Sequence, residues 1–344
     1  MRIGILTLPF NNNYGGILQC YALCAFLKKM GHDPVVIRRE ENRQPLLKRL
    51  IYKVRWLFLK KSNMVQLVDR TKYIRPFAEK RLDRTNLIRS EHQMYKVCEK
   101  YKLDAVIVGS DQVWRTDYAM RFGYNYFLDY VPNNIKKLSY AASLGLNDWL
   151  YDQKQTKRIG QLLSTFNGVS VREKEAVTLL KEHIGIDAEW HIDPTMLLVQ
   201  DEYNMIVSSC KEHERYVFVY WLGEKTLVAK DIQEYKQKGY KVIDINLRDE
   251  REQESIEDWL SYIKYAECII TDSFHGCVFS ILFERPFIVR FNESGGVGRL
   301  ESLFELLKID INNKTIVMPD YCAVKACIDS LRARSSAYLK MALE

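Results

Sequence analysis

The sequence has no long hydrophobic run. The apolar stretch after Arg2 ends at Pro9, which is shorter than the hydrophobic segment of a secretory signal. No uninterrupted apolar segment reaches the ~20 residues that a membrane-spanning helix needs. There is also no internal repeat and no low-complexity segment, which excludes the repeat architectures. We therefore expect a globular protein of the cytoplasm.

Metal-binding and dinucleotide-binding patterns are missing as well. The eight cysteines form no C-x-x-C pair, and the six histidines do not cluster with cysteines at zinc-like spacings, so we expect no metal site. Five cysteines lie in apolar runs, which is typical of reduced, buried thiols: Cys20, Cys24, Cys98, Cys268 and Cys277. The pair Gly15-Gly16 is not a G-x-G-x-x-G fingerprint, so no dinucleotide cofactor is implied.

What is present describes a soluble α/β protein. The 344 residues suffice for two domains, with 47% hydrophobic and 28% charged residues. The net charge of +7 is concentrated, because Arg38 to Lys61 contains nine basic residues against Glu40 and Glu41. This bias invites an anionic partner: nucleic acid, a phosphorylated substrate or a membrane surface. Residues 44–61 read as a basic amphipathic helix, which either packs on its own domain or docks on an anionic membrane.

Short apolar strands alternate with helices along the whole chain, which predicts parallel sheets. In the first half we expect strands at Arg2–Leu8, Val35–Ile37, Ala105–Val108, Leu138–Ala142 and Val169–Val171, with helices at Ile17–Met30, Trp149–Thr165 and from Arg172 to His183. In the second half we expect strands at Tyr216–Trp221, Lys241–Ile245, Cys268–Ile270 and Phe287–Val289, with helices between them and a last helix at Tyr321–Leu343. The predicted units are residues 1–195, 196–320 and 321–344, the last a helix that crosses back onto the first domain.

Polar groups follow several of these strands where the strands end. In parallel sheets, ligands bind beyond the carboxyl ends of the strands, where helix N-termini point. The stretch from Glu267 to Val289 places His275 at such a position, between a strand and a helix. In the first half, a polar loop starting at Gly109 follows one strand, Ser143-Leu144-Gly145 follows the next, and Arg172 and Glu173 follow a third. One such coincidence could be chance, but three consecutive strands that each end in polar groups indicate a site.

The motifs at these positions resemble those of the polysaccharide pyruvyl transferase family. In chain order they are Asn13-Tyr14-Gly15-Gly16-Ile17-Leu18-Gln19, Gly109-Ser110-Asp111-Gln112-Val113-Trp114, Ser139-Tyr140-Ala141-Ala142-Ser143-Leu144-Gly145, Ser170-Val171-Arg172-Glu173, Asp193-Pro194-Thr195 and Thr271-Asp272-Ser273-Phe274-His275-Gly276. The resemblance implies a GT-B-like fold, with two Rossmann-like domains facing each other across a cleft. It also implies transfer of a pyruvyl group from phosphoenolpyruvate to a sugar of a capsular, cell-wall or exopolysaccharide precursor, usually as a cyclic ketal.

The resemblance also implies roles for individual residues. His275 and Arg172 are the expected catalytic residues, the first as acid or base and the second as a clamp on the donor anion. The expected donor-binding residues are Arg172, Ser273, His275, Gly276 and Arg299. The expected acceptor-binding residues are Asn13, Tyr14, Gly15, Gly16, Asp111, Gln112 and Trp114, although core packing is the alternative for Trp114. Asp193 is expected to order the turn between the domains.

The chain departs from the family pattern at Ser273, where some members have an arginine. A serine cannot neutralise a phosphate, so Arg299 is the expected replacement, ahead of Arg285. The expected partners are phosphoenolpyruvate and a glycan precursor, lipid-linked or nucleotide-linked, and not nucleic acid. Residues 44–61 would suit a polyprenyl-diphosphate-linked acceptor at the inner face of the plasma membrane. Two other hypotheses stay open: a glycosyltransferase that uses a nucleotide sugar, and a non-catalytic scaffold protein.

Overall fold

The structure is a computed structural model, and it describes residues 1–10, 13–41, 72–210, 212–224, 226–246, 254–291, 297–311 and 316–344. The helix predicted at 44–61 lies outside the described residues, so its two interpretations both remain predictions. Within the described part, no helix combines the length and the apolar character that a bilayer crossing requires.

The first half is built on a parallel four-stranded sheet. Its strands are β1 (Arg2–Leu6), β2 (Asp33–Val36), β3 (Ala105–Val108) and β4 (Lys136–Ser139), arranged in the order β2-β1-β3-β4. A parallel pair, β5 (Ser170–Val171) and β6 (Glu189–Trp190), continues from β4 through isolated bridges such as Ala142 to Val171. The helices of this half are α1 (Tyr14–Lys29), α2 (Arg75–Arg81), α3 (Glu91–Tyr95), α4 (Val97–Tyr101), α5 (Thr116–Ala119), α6 (Gln153–Leu163) and α7 (Lys174–Ile184).

The second half contains its own parallel four-stranded sheet. Its strands are β7 (Tyr216–Trp221), β8 (Lys241–Asn246), β9 (Cys268–Thr271) and β10 (Phe287–Val289), in the order β10-β9-β7-β8. The remaining helices are α8 (Gln200–Asn204), α9 (Thr226–Gln237), α10 (Ile256–Tyr265), α11 (Phe274–Leu282), α12 (Val297–Leu306) and α13 (Tyr321–Leu343). The strands read as continuous apolar runs because helices cover both faces of each sheet, so that the side chains of β7 and β9 are almost all buried.

Several predicted boundaries are wrong by a few residues, and three of them have a clear local reason. Helix α1 begins at Tyr14 rather than Ile17, because Asn13 caps it by accepting a hydrogen bond from the N–H of Gly16 at 3.2 Å. Strand β4 ends at Ser139, and Ala141 soon after it adopts a left-handed φ of 47°. Helix α6 begins at Gln153, where Asp152 forms a capping box with Gln155.

Helix α13 packs against the first half of the chain. The hydroxyl of Tyr338 donates to the carbonyl of Ser139 at 2.8 Å, and His191 is hydrogen-bonded to Ser335 at 2.9 Å. The guanidinium of Arg332 donates to the carbonyl of Met196 at 3.1 Å. These contacts attach the end of the chain to the carboxyl ends of β4 and β6, close to the segment that joins the two halves.

Candidate active site in the interdomain cleft

The first turn of α1 brings the first half of the chain against the second. Tyr14 is fully buried, its ring stacks on that of Trp259 with centroids 5.3 Å apart, and its hydroxyl donates to the carbonyl of Glu254 at 2.8 Å. These contacts hold the N-terminus of α1 over α10 and α11. Tyr14 therefore serves as an interdomain contact in this structure, and its side chain does not face a ligand space.

His275 lies directly under this turn. It occupies the first turn of α11, where the Ser273 side chain caps the helix by accepting from the N–H of Gly276 at 3.3 Å. The imidazole packs so closely on Gly15 that a Cβ added there would lie 2.0 Å from its Nδ1. Gly276 is equally tight, since an added Cβ would lie 2.3 Å from the hydroxyl of Thr271. Gly15 thus allows the first turn of α1 to approach His275, and Gly276 allows α11 to pack on Thr271.

Arg172 follows β5 and reaches the same place from the first half. Its Nη1 donates to Asp193 at 2.7 Å, its Nε lies 3.6 Å from Glu173, and its guanidinium carbon lies 4.3 Å from the centre of the Phe274 ring. The side chain is 2% exposed, and its Nε and Nη2 have no hydrogen-bond partner among the described residues. Burial opposes the charge, but Asp193, Glu173 and Asp111 together raise the pKa of Arg172. A permanently charged, half-satisfied guanidinium is a binding site for an anion.

Asp193 joins Arg172 to His275, and this role was missed in the sequence. Its carboxylate is fully buried, accepts from the N–H and hydroxyl of Thr195 at 2.9 and 2.6 Å, and lies 3.6 Å from Nε2 of His275. Burial alone would raise the pKa of Asp193, but His275 and Arg172 hold it well below its usual range. A carboxylate beside Nε2 favours the tautomer that carries its proton there, which leaves Nδ1 as the basic atom.

Two more charged groups complete this cluster. Glu173 is buried, and its Oε1 accepts from the hydroxyl of Ser143 at 2.5 Å. Arg299 comes from the start of α12, and burial, followed by the nearby charge of Arg172, lowers the pKa of Arg299 to about 10. The structure thus brings the expected donor-side residues together: Arg172, Ser273, His275, Gly276 and Arg299. Arg285 lies elsewhere, just beyond α11, where Tyr321 donates to its carbonyl.

The expected acceptor-side residues divide into two groups. Asn13, Gly16, Asp111 and Gln112 line a cavity of about 890 Å³ in the first half of the chain. Trp114 is fully buried, its indole N–H donates to the carbonyl of Tyr126 at 2.9 Å, and its ring stacks on Phe127. Trp114 therefore belongs to the core, and it presents no face to the cavity.

The cavity wall also carries several charged side chains, some of which belong to the basic stretch that begins at Arg38. The arginines are Arg38, Arg39, Arg75, Arg84 and Arg121, and the acidic residues beyond Asp111 are Glu40, Glu41 and Glu79. Arg84 lies near Arg38 and Arg75, and burial together with these two charges lowers the pKa of Arg84. The ion pairs of Arg38 with Glu40 and of Arg84 with Glu79 are long, at 3.7 and 3.9 Å. Arg172 and His275 do not line the cavity, but Gly15, next to Gly16, contacts His275, and the charge of Asp111 acts on Arg172.

The fold and the position of this cluster define the class of the protein. Two parallel α/β halves that face each other, with charged groups at the carboxyl ends of their strands, form a GT-B fold. Solved structures of this fold support the assignment. A UDP-GlcNAc 2-epimerase from Neisseria meningitidis bound to UDP-GlcNAc is 14% identical, with a TM-score of 0.50 over 99% of this chain and 94% of that one. A putative UDP-N-acetylglucosamine 2-epimerase from Listeria monocytogenes is 13% identical, with a TM-score of 0.50 over 99% and 90%.

A third similar structure is that of S. aureus MnaA with UDP, which is 14% identical with a TM-score of 0.50 over 99% of this chain and 91% of that one. At these identities the likeness concerns the fold alone. No curated protein matches the chain. A model of the polysaccharide pyruvyl transferase family matches residues 13–290. The chain therefore belongs to the polysaccharide pyruvyl transferase family, which confirms the resemblance seen in the motifs.

Proposed function

We propose that the protein transfers the pyruvyl group of phosphoenolpyruvate to a sugar of a polysaccharide precursor and forms a cyclic ketal. The observation that carries this proposal is the guanidinium of Arg172, which is buried near His275 and whose Nε and Nη2 have no hydrogen-bond partner within the described part of the chain. Phosphoenolpyruvate offers a phosphate and a carboxylate, and both match such a fork of donors. Arg299 and the N-terminus of α11 add positive potential on the same side.

His275 is placed to move protons during the reaction. The carboxylate of Asp193 lies 3.6 Å from Nε2, and Nδ1, which packs against Gly15 in this structure, takes the proton of an attacking hydroxyl group when the substrates are bound. This arrangement matches the Asp–His part of the familiar hydrolase triads in its roles, with the carboxylate holding the tautomer and the imidazole acting on the substrate.

The acceptor glycan fits the cavity that Asn13, Gly16, Asp111 and Gln112 line. Its volume of about 890 Å³ lies in the range of binding sites for molecules larger than one sugar. Carboxylate and amide groups bind sugar hydroxyls, and the arginines of the wall suit an acceptor that carries a phosphate, such as a polyprenyl-diphosphate-linked or nucleotide-linked glycan. His275 is only 6% exposed, so a substrate reaches it only when residues around it move.

The direct test is phosphate release from phosphoenolpyruvate in the presence of free and lipid-linked galactosides and mannosamines. We expect a modified acceptor heavier by about 70 mass units, the increment for a ketal by atom counting. Release with none of these acceptors, together with a thermal shift by UDP-sugars and none by phosphoenolpyruvate, would favour a nucleotide-sugar glycosyltransferase. If the wild-type protein and the His275→Ala and Arg172→Ala variants all serve equally well in cells, the protein is a scaffold.

A further inference from the structure

Ketal formation from phosphoenolpyruvate moves two protons, and this inference rests on that proposed function. Two acceptor hydroxyls form C–O bonds to the enol carbon, and each loses its proton. One proton adds to the methylene carbon and makes it a methyl group. The other leaves with the phosphate when the bond between the enol carbon and the phosphate oxygen breaks. The reaction therefore needs an acid for carbon as well as a base for oxygen. His275 supplies one acid/base group, and the buried cluster contains a second.

Glu173 is the second group. Its carboxyl is 4% exposed at the end of β5, and its Oε2 has no hydrogen-bond partner among the described residues. The other oxygen is fixed by the hydroxyl of Ser143 at 2.5 Å, so the carboxyl has a set orientation. Glu173 precedes α7 but does not cap it, since its side chain makes no bond to the first turn of the helix. A buried carboxyl oxygen without a partner needs one from a ligand or a proton of its own.

The guanidinium of Arg172 stands between the two acid/base groups. Asp193 and, through it, His275 lie on the Nη1 side, and Glu173 lies 3.6 Å from Nε. The remaining nitrogen, Nη2, has no partner among the described residues. An anion held on this guanidinium is therefore flanked by an imidazole on one side and a carboxyl group on the other. Arg299 is the second cation that faces Glu173.

We propose that Glu173 is the acid that protonates the methylene carbon of phosphoenolpyruvate and is then recharged by the proton of an acceptor hydroxyl. His275 takes the other hydroxyl proton and passes it to the departing phosphate, so every proton is accounted for. Glu173 must be neutral for this role, because an ionised carboxylate would repel the donor anion beside Arg172. Burial raises the pKa of Glu173, and Arg172, Ser143, Arg299 and the backbone N–H of Leu144 oppose the rise only in part.

A structural role as the counter-ion of Arg172 is the competing explanation. Asp193 already fills that role at 2.7 Å, with its own pKa held low, whereas Glu173 lies farther away at 3.6 Å and has its pKa raised. The pKa values of the two carboxyl groups around this one guanidinium are thus shifted in opposite directions. Such a division is typical of a site where one carboxyl group holds charge and the other holds a proton.

The test is Glu173→Gln, which keeps the shape and the bond from Ser143 and removes the proton. We expect phosphate release to fall by about 10²-fold or more, the usual worth of a general acid, while KM for phosphoenolpyruvate changes by less than about threefold. A second readout needs only the donor: calorimetry in buffers of different ionisation enthalpy measures the protons taken up when phosphoenolpyruvate binds. Above neutral pH we expect uptake by the wild-type protein and less uptake by the variant.

Glu182→Gln is the matched control, since Glu182 is exposed on the same helix, α7. Its activity and proton uptake should equal those of the wild-type protein. If the wild-type protein is active, either of two results for Glu173→Gln overturns the assignment of Glu173 and leaves the proposed function intact. The first is that the variant keeps more than about a tenth of the activity, and the second is that it binds the donor with unchanged proton uptake. Wild-type protein that neither binds phosphoenolpyruvate nor releases phosphate refutes the proposed function itself, and the role of Glu173 with it.

Discussion

Replacing Gly15 by alanine perturbs the contact between the two halves of the chain at the candidate catalytic residue. The added Cβ would lie 2.0 Å from Nδ1 and 2.7 Å from Cβ of His275, whereas ordinary contacts begin near 3.4 Å. The imidazole and the first turn of α1 must therefore move apart by about 1.4 Å. Since Tyr14 and Asn13 fix this turn on either side, the shift cannot be confined to one flexible side chain.

The consequence for activity is larger than the consequence for stability. A displacement of ~1 Å in a catalytic group costs about 10²-fold in rate, so we expect phosphate release by Gly15→Ala to fall by that factor. Overpacking costs ~1–3 kcal/mol in the free energy of unfolding, and the better helix propensity of alanine offsets up to ~1 kcal/mol of it. The variant should therefore stay folded in urea titrations that are run beside the activity assay.

Gly160→Ala is the control for this substitution. Gly160 lies inside α6, and an added Cβ there would meet Ile184 at an ordinary 3.4 Å. We expect full activity and a gain of ~0.5–1 kcal/mol in stability. Full activity of Gly15→Ala with an unchanged affinity for phosphoenolpyruvate would show that the observed contact between α1 and His275 is not part of the reacting arrangement.

Three further predictions concern Asp193, His191 and Trp114. Asp193→Asn leaves the buried charge of Arg172 uncompensated, so the free energy of unfolding measured in urea should fall by ~3–5 kcal/mol. Phosphate release should fall as well, because His275 loses its orienting partner. An unchanged free energy of unfolding would contradict the buried ion pair. Burial lowers the pKa of His191 from 6.5, although Glu189 opposes the shift, so the imidazole binds a proton more tightly in the unfolded chain than in the folded protein. Stability should accordingly be complete above pH 6.5 and fall as the pH drops below it, and His191→Asn should flatten that part of the urea midpoint profile. Trp114→Phe should lower the free energy of unfolding by ~1–3 kcal/mol, because the hydrogen bond to the carbonyl of Tyr126 is lost, and should leave KM for the acceptor unchanged. A raised KM with an unaltered free energy of unfolding would assign Trp114 to the acceptor site again.

The strands and the longest helix could be predicted because their signals are local. Apolar runs mark β3 and β7 with the correct bounds, and α13 begins and ends where its pattern does. Helix starts were less accurate where a polar side chain decides the boundary. Asn13 and Asp152 cap their helices through one or two side-chain hydrogen bonds, and such bonds can form at several neighbouring residues with similar propensity.

The donor-side cluster could be predicted only in part. His275 and Arg172 were found because each follows a strand, and topology collects the carboxyl ends of parallel strands at one edge. Asp193 was assigned to a turn because its motif also suits one, and it does cap the turn at Pro194. Its contact with His275 spans 82 residues and depends on how the two halves pack. The burial of Tyr14 and Trp114 likewise depends on neighbours that are distant in sequence.

Ser273 and Arg299 show how the departure from the family pattern is accommodated. The serine accepts the N–H of Gly276 and so begins α11, which a guanidinium cannot do because it has no acceptor. Arg299 brings a second cation to the cluster from a different element, and burial, followed by the nearby charge of Arg172, lowers the pKa of Arg299. We therefore expect a donor with two anionic groups to bind beside these two cations more tightly than a neutral ligand does.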